Sequence, residues 1–205
     1  MKRARHIGMP LVASALAILL LVGWAGSFDA LRREGDAIRS IQAEFTQHKE
    51  MRMLVRPIVS EGRFYFQKPG SLRWEYTSPV KSVLLMHDGS VRRFFQQSGD
   101  WTEDTTAGLQ AMDVVMEEIT RWLNGRFDDN PVFLAELVPG RLIRLTPKSE
   151  SMAGIIQRIE LVLADRPGVL EQVVIYESEA SLTRLLFSGS QVNLDIPESV
   201  FLTAQ

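Results

Sequence analysis

The side chains that could perform catalysis or bind a metal are few, and their spacing suits neither role. His48 and His87 are the only histidines after residue 26, and neither has a second histidine at the spacing of a metal site. Asp88 and Gly89 follow His87, but this dipeptide is typical of a hairpin turn, in which both residues adopt positive φ. We therefore predict neither a catalytic histidine nor a metal site.

The acidic pairs Glu117-Glu118 and Asp128-Asp129 are the remaining candidates for acid-base chemistry. Adjacent residues on a helix do not face each other, and the second pair lies in a predicted loop, so we interpret both pairs as solvated surface. The chain has no cysteine, which excludes thiol catalysis, disulfides and cysteine-based zinc sites. It also lacks a phosphate loop, a nucleophile elbow and a dinucleotide fingerprint. The sequence thus predicts a protein that is not an enzyme and has no cofactor, with an enzyme built on a carboxylate pair as an alternative.

Composition favours one globular domain with a short N-terminal addition. The chain has 205 residues, of which 45% are hydrophobic and 23% charged, and its formal net charge is -2. A chain without a basic excess is a poor candidate for binding nucleic acid. We assign residues 1–26 to the addition and residues 27–205 to the domain.

The first 26 residues have the pattern of an export signal. Lys2, Arg3 and Arg5 precede a long apolar run without a charge. We predict cleavage near Ala25, which leaves a soluble exported protein, and an uncleaved membrane anchor is the alternative. Without an N-terminal cysteine, the chain cannot be tethered by lipidation in the manner of a bacterial lipoprotein.

Two predicted helices and about ten predicted strands follow this segment. Ser27 is a candidate cap for a first amphipathic helix, after which the hydrophobic period changes to two. In the stretch "KPGSLRWEYTSP", Leu72, Trp74 and Tyr76 alternate with polar residues between two turns, as in a half-buried strand. Similar runs recur at the rhythm of an antiparallel meander.

A strongly amphipathic helix interrupts the strands between residues 109 and 123. Its apolar residues recur at helical spacing, and they are Leu109, Met112, Val115, Met116, Ile119, Trp122 and Leu123. A sheet of ten strands must curl or close, and a helix that is apolar on one side can cover its concave face. We predict a mainly β (α+β) fold with a single curled antiparallel sheet.

The motifs "AEFTQ", "EGRFYFQKPGSLRWEYTSP", "LLMHDG" and "LTPK", in this order after an export signal and a helix, resemble the LolA family of periplasmic outer-membrane lipoprotein carriers. The resemblance covers essentially the whole chain after the signal. It implies an incomplete β-barrel with helices over a hydrophobic concave face. It also implies transport of lipoproteins through the periplasm of a Gram-negative bacterium.

The resemblance suggests which residues bind lipid. The residues expected to line an acyl-chain cavity are Phe45, Phe64, Phe66, Leu72, Trp74, Tyr76 and Leu85. The helix from residue 109 to residue 123 is expected to act as a movable lid, with Met112 and Met116 as adaptable contacts for a flexible ligand. Before Pro69 the family often has an arginine that bonds to the helical lid. This chain has Lys68 there, and we predict that Lys68 contacts the lid with the same charge but without the planar fork.

The expected partners are acylated lipoproteins, an inner-membrane ABC transporter and an outer-membrane lipoprotein receptor, with the carrier acting as a monomer. An alternative is a lipid- or lipoprotein-sensing regulatory protein, or a carrier of another lipid, built on the same half-barrel. The regulatory class has an additional domain for which this chain has no room. The outer-membrane receptor itself is a further alternative, but it depends on a lipidated cysteine, which is absent.

Overall fold

A computed structural model describes residues 27–105, 109–166 and 168–204, with the backbone alone described for residues 109–115. The N-terminal segment, residues 1–26, lies outside the described residues. The described chain forms three α-helices and a short 3-10 helix: α1 (Phe28–Asp36), α2 (Leu109–Leu123), α3 (Glu150–Ala153) and the 3-10 helix Glu198–Phe201. Its strands are β1 (Ser40–Met51), β2 (Ile58–Gln67), β3 (Ser71–Ser78), β4 (Ser82–His87), β5 (Ser90–Gln97), β6 (Asp100–Glu103), β7 (Phe133–Val138), β8 (Leu142–Pro147), β9 (Arg158–Leu163), β10 (Leu170–Ser178) and β11 (Ser181–Val192).

All the described strands belong to one antiparallel sheet that curls but does not close. The strand order is β6-β5-β4-β3-β2-β1-β11-β10-β9-β8-β7, so β6 and β7 are the two edges. This confirms the predicted mainly β fold. The sheet has one strand more than predicted, because Ser98 and Gly99 adopt positive φ (51° and 99°) and reverse the chain between β5 and β6. The turn at Asp88 and Gly89 is confirmed, with φ of 50° and 74°.

Helix α1 begins as the sequence predicts. The Ser27 side chain accepts a hydrogen bond from the Ala30 backbone N–H at 3.1 Å, which satisfies one of the free donors at the helix start. The helix ends at Asp36, and Ile41 already belongs to β1. Ile38, between the two elements, is buried in the core.

The C-terminal segment covers the convex face of the sheet, an arrangement that the sequence did not predict. Arg73 points away from the concave face and donates hydrogen bonds to the carbonyl oxygens of Val200, Thr203 and Ala204, the one to Thr203 at 2.6 Å. A buried guanidinium needs such acceptors, because an unpaired buried charge is strongly unfavourable.

Leu85 also lies on this convex side, which corrects its predicted place in the cavity. It packs in a small cluster with Val83, Phe94 and Ala204, separate from the main core. The physical reason is register: Trp74 pairs with Leu84, so Leu84 shares the concave face and its neighbour Leu85 points the other way.

Gly62 allows Phe45 to lie directly against the backbone of β2. The two residues are cross-strand partners, and a Cβ at position 62 would lie 2.4 Å from the Phe45 ring and 2.1 Å from the Glu75 carbonyl oxygen. Phe45 is fully buried. Replacing Gly62 with alanine is therefore expected to lower the free energy of unfolding by about 2–3 kcal/mol or more, through overpacking.

Urea denaturation measures this effect, and Gly70→Ala is the matched control. A Cβ at Gly70, in the turn between β2 and β3, meets nothing within 4 Å. The control should change stability by less than about 0.5 kcal/mol. Equal stability of the two alanine variants would contradict the close packing of Phe45 on Gly62.

Candidate functional site

A cavity of about 370 Å³ lies between the concave face of the sheet and α2. Most of its lining is aliphatic or aromatic and comes from both halves of the sheet and from α2. The lining residues are Ile41, Ala43, Gln47, Phe64, Trp74, Tyr76, Ser82, Val83, Leu84, Arg93, Phe95, Met116, Glu118, Ile119, Trp122, Leu123, Val132, Phe133, Met152, Ile156, Ile159, Val169, Leu170, Val173, Ile175, Thr183, Leu185, Phe187 and Ser190. This volume falls in the range of about 300–1,000 Å³ that is usual for small-ligand sites.

The first half of the sheet places three of the predicted residues on the cavity wall: Phe64, Trp74 and Tyr76. Phe64 and Trp74 are cross-strand partners whose ring centroids lie 5.4 Å apart at an interplanar angle of 80°. Such edge-to-face pairs are favourable and hold the ring orientations. The alternation in β3 therefore presents a rigid aromatic surface to the cavity.

Three other predicted residues lie behind this wall instead of on it. Phe45, Phe66 and Leu72 are fully buried members of the main core and do not line the cavity. Phe45 supports the wall from below, with its ring 5.2 Å from both Trp74 and Tyr76. These residues fix the shape of the site without contacting its interior, a distinction that period-two alternation alone does not reveal.

The second half of the sheet supplies lining residues that the sequence analysis did not select. Phe187 on β11 joins the aromatic cluster, with its ring 6.4 Å from that of Trp74. Val173 and Ile175 on β10 and Leu185 on β11 complete this side. Leu185, Leu186 and Phe187 form a continuous apolar run, which indicates a strand but does not show which residues face the cavity.

Helix α2 and the segment around α3 line the remainder of the cavity. Met116 and Ile119, two of the residues assigned to the lid, line it together with Trp122 and Leu123. The side chains of Leu109, Met112 and Val115 lie outside the described residues. Met152 on α3 and Ile156 beyond it add a wall that the sequence analysis did not anticipate.

Tyr76 is the polar end of the aromatic wall. Its hydroxyl donates a hydrogen bond to Gln47 Oε1 at 2.8 Å, and burial raises its pKa. The phenol therefore remains a neutral donor, and the cavity gains no negative charge at this position.

Glu118 lines the cavity and is only 6% exposed, which corrects its interpretation as solvated surface. Asn130 Nδ2 donates a hydrogen bond to its carboxyl group, and Arg121 Nε lies 3.9 Å from it. Asn130 in turn accepts from the backbone N–H groups of Val132 and Phe133. This arrangement joins α2 to the start of β7. Neighbouring Glu117 remains exposed, as predicted.

Burial raises the pKa of Glu118, and the resulting pH dependence is testable. The pKa of the Glu118 carboxyl group is higher in the folded state than in the unfolded state. Its contribution to the free energy of unfolding is therefore present at low pH and is lost as pH rises through the raised pKa. Glu118→Gln removes this loss, since the amide still accepts from Asn130 but cannot ionise. The variant is expected to gain stability over the wild type as pH rises above about 4.5.

Urea unfolding at several pH values measures the difference, and Glu117→Gln is the matched control on the exposed face of the same helix. The control should shift stability by less than about 0.5 kcal/mol at every pH. A wild type and a Glu118→Gln variant with parallel pH profiles would contradict the raised pKa.

Among the described residues, Lys68 contacts α1, and its predicted contact with the lid stays a prediction. Lys68 Nζ donates to the Gly35 carbonyl oxygen at 2.7 Å and lies 3.9 Å from Asp36. A cation at a helix C-terminus interacts favourably with the helix dipole. Lys68 thus fixes the end of α1 to the turn that precedes β3.

Helix α1 is in turn packed against the end of α2, backbone to backbone. A Cβ at Gly125 would lie 2.3 Å from the Leu31 carbonyl oxygen, and one at Gly35 would lie 2.7 Å from the Asn124 carbonyl carbon. Gly125 also has φ of 69°, as is common after a helix C-terminus. Lys68 therefore reaches α2 indirectly, through α1, at the end of α2 that follows Trp122 and Leu123.

The described residues offer little for other chemistry. In residues 27–105, 109–166 and 168–204, no three acidic or histidine side chains come together as metal ligands. Within the same ranges no helix has the length and apolarity needed to cross a bilayer. His87 Nδ1 lies 2.8 Å from Ser71 Oγ, outside the cavity lining.

A curled sheet around a largely apolar cavity, covered by an amphipathic helix, is the architecture of a protein that binds an apolar ligand. Residues 36–203 match the family described as "Outer membrane lipoprotein carrier protein LolA". The match covers most of the chain, and the chain belongs to this family. The resemblance found in the sequence motifs is thus confirmed.

Two curated relatives have similar sequences over most of their length. The outer-membrane lipoprotein carrier protein of Dechloromonas aromatica is 35% identical over 93% of this chain and 89% of its own length. That of Proteus mirabilis is 26% identical over 82% of this chain and 80% of its own. Among solved structures, the LolA superfamily protein NE2245 of Nitrosomonas europaea aligns with a TM-score of 0.41 at 10% identity, over 86% of this chain and 98% of that one.

Proposed function

We propose that this protein is a periplasmic carrier that binds the acyl chains of lipoproteins and transports them from the inner to the outer membrane. In this proposal residues 1–26 direct export, residues 27–205 form the carrier domain, and the carrier acts as a monomer. It receives cargo from an inner-membrane ABC transporter and delivers it to an outer-membrane lipoprotein receptor, and it catalyses no reaction.

The composition of the cavity wall is the observation that supports this proposal most directly. Six of the lining residues are polar or charged: Gln47, Ser82, Arg93, Glu118, Thr183 and Ser190. The others are apolar or aromatic, and the aromatic rings hold one another in place. Such a wall can bury hydrocarbon but has few groups for recognising a polar ligand.

The energetics of cargo transfer explain why a carrier needs this wall. Each methylene moved from water to an apolar site contributes about 0.8 kcal/mol, so a sixteen-carbon chain in water is unfavourable by roughly 12 kcal/mol. A carrier must offer a comparably dry site. It must also release the chain, which favours a cavity that can open.

Helix α2 is the element that we propose opens. It forms one wall through Met116, Ile119 and Trp122, and methionine adapts readily to ligands of different shape. The helix is also joined to the segment before β7 through the hydrogen bond from Asn130 to Glu118. Departure of α2 would expose the aromatic wall to an incoming acyl chain.

Mass spectrometry of cargo tests the proposal. Protein recovered from the periplasmic fraction of its native bacterium is expected to carry acylated proteins, released when the protein is denatured. The Trp74→Glu variant, shown to be folded, is the control and should carry none. Recovery of free phospholipid alone would favour a carrier of another lipid. Recovery of the wild type without any acylated molecule would contradict the proposed function.

A further inference from the structure

The loop between β1 and β2, together with the first two residues of β2, exposes an unusual density of apolar side chains. Val55 is fully exposed and Met53 is 84% exposed. The other exposed apolar side chains of residues 52–59, which we call the apolar loop, are Leu54, Ile58 and Val59. Single exposed apolar residues are normal on a protein surface, but five within eight consecutive positions form a patch that indicates a binding surface.

The apolar loop also carries two positive charges and no negative one. Arg52 and Arg56 flank the most exposed apolar positions, and both are exposed. Among the described residues, neither guanidinium forms a hydrogen bond or an ion pair. Two carboxylates, Glu50 and Glu179, line a groove together with Arg52, Leu54 and Val55 of the loop.

The loop is attached to the end of the sheet that contains the turn between β10 and β11. The Arg52 backbone N–H donates to the Ala180 carbonyl oxygen at 2.8 Å, which joins the loop to the turn between β10 and β11. Leu54 and Val55 share the groove with Gln157, whose neighbour Ile156 lines the cavity. The groove and the cavity are thus lined by consecutive residues of the chain, Gln157 and Ile156.

We propose that the apolar loop inserts into the headgroup region of an anionic phospholipid bilayer. Apolar side chains flanked by arginines bind such surfaces through buried apolar area and through attraction to anionic lipids. The loop combines exposed apolar side chains with two arginines and no acidic residue, so its charge complements an anionic lipid surface. A fluid bilayer can receive these side chains without a matching pocket, whereas a protein partner would have to supply one.

Insertion would hold one end of the cavity at the membrane surface. An acyl chain could then move between bilayer and cavity with little exposure to water. This use of the loop rests on the proposed function, whereas binding of the loop to lipid does not. The two can therefore fail separately in experiments.

A dye placed in the loop tests insertion directly. The chain has no cysteine, so Val55→Cys in the full chain can be labelled uniquely with an environment-sensitive fluorophore. Gly70→Cys, in a turn at the opposite end of the sheet, is the matched control because its side chain would meet open space. The signal is local to each site, so it reports the loop whether or not residues 1–26 are retained.

The fluorescence at position 55 is expected to rise and shift to the blue with vesicles of phosphatidylethanolamine and phosphatidylglycerol, and to change much less with phosphatidylcholine vesicles. The fluorescence at position 70 should not change. Added salt should weaken the response, because the arginines contribute through screened attraction.

Substitutions in the loop separate its two contributions. In otherwise unlabelled protein, Arg52→Gln with Arg56→Gln is expected to weaken vesicle binding by about thirtyfold, at about 1 kcal/mol for each charge. Met53→Ser with Val55→Ser should weaken it by at least about tenfold. The controls Arg126→Gln and Leu134→Ser, exposed residues elsewhere, should bind as the wild type does. All variants should load acyl chains normally.

Three results would overturn the proposal. The first is a dye at position 55 that no vesicle affects, and the second is an equal response to neutral and anionic vesicles. The third is a response that appears only when the vesicles contain the transporter, which would assign the loop to a protein partner. If the wild-type protein binds vesicles but does not load acyl chains, the proposed function is contradicted and the loop proposal still stands.

Discussion

Trp74→Glu is expected to weaken acyl-chain binding by about a hundredfold or more. Trp74 lies at the centre of the aromatic wall, in contact with the rings of Phe45, Phe64 and Phe187. An ionised carboxylate at this position would face hydrocarbon in the loaded state, which costs several kcal/mol, and each 1.4 kcal/mol is a factor of ten in affinity. Displacement of a fluorescent fatty acid measures the change.

The same variant predicts a pH dependence. Burial raises the pKa of a carboxyl group, so acidification should neutralise the new side chain and restore part of the binding. Trp74→Leu, which keeps the site dry, is the first control and should lose less than about tenfold. Leu134→Glu places the same acid on an exposed position and should bind normally.

Circular dichroism and urea unfolding must first show that each variant is folded. Phe66 is a poorer position for this test, because it is fully buried behind the wall and a glutamate there would unfold the protein. A folded Trp74→Glu protein with wild-type affinity would falsify the cavity as the acyl-chain site.

Joining α2 covalently to the sheet is expected to reduce lipoprotein loading by at least about tenfold, if departure of this helix opens the cavity. Met116 on α2 and Phe95 on β5 both line the cavity, and α2 lies close to β5. Cysteines at these two positions can be bridged by a bismaleimide reagent. No other thiol in the chain competes for the reagent.

The single-cysteine variants, treated with the same reagent, show whether the added group merely fills the cavity. They should load cargo almost as well as the untreated protein. Loading is measured by transfer of a purified lipoprotein to the carrier. If the bridged protein loads as fast as the single-cysteine controls, then α2 is a fixed wall and acyl chains enter elsewhere.

The sequence predicted the elements of the sheet well where the apolar period was unambiguous. Strand β3 alternates regularly, and Trp74 and Tyr76 lie on the face that this alternation assigns to them. Strand β4 contains Val83, Leu84 and Leu85 in succession, so its period selects no face and Leu85 was placed wrongly. Cross-strand register decides which residues of β4 face the cavity, and this register is a property of the folded sheet.

Polar residues were the other source of error. Glu118 was interpreted as solvated surface because adjacent acidic residues on a helix do not face each other, yet the loop after α2 folds back and supplies Asn130 as a partner. Arg73 likewise obtains its acceptors from a C-terminal segment more than a hundred residues away. Such long-range partners leave no trace in a local pattern, whereas the helix cap at Ser27 needs only the next three residues and was predicted correctly.

The placement of α2 in the strand order has a consequence for how the molecule deforms. The two unpaired edges of the sheet, β6 and β7, are consecutive strands in the chain, and α2 is part of the connection between them. Movement of α2 therefore breaks no interstrand hydrogen bond. Native-state hydrogen exchange should resolve two classes of amides, with those of α2 exchanging through a low-energy local opening while those of β1 and β11, in the middle of the strand order, exchange only upon global unfolding.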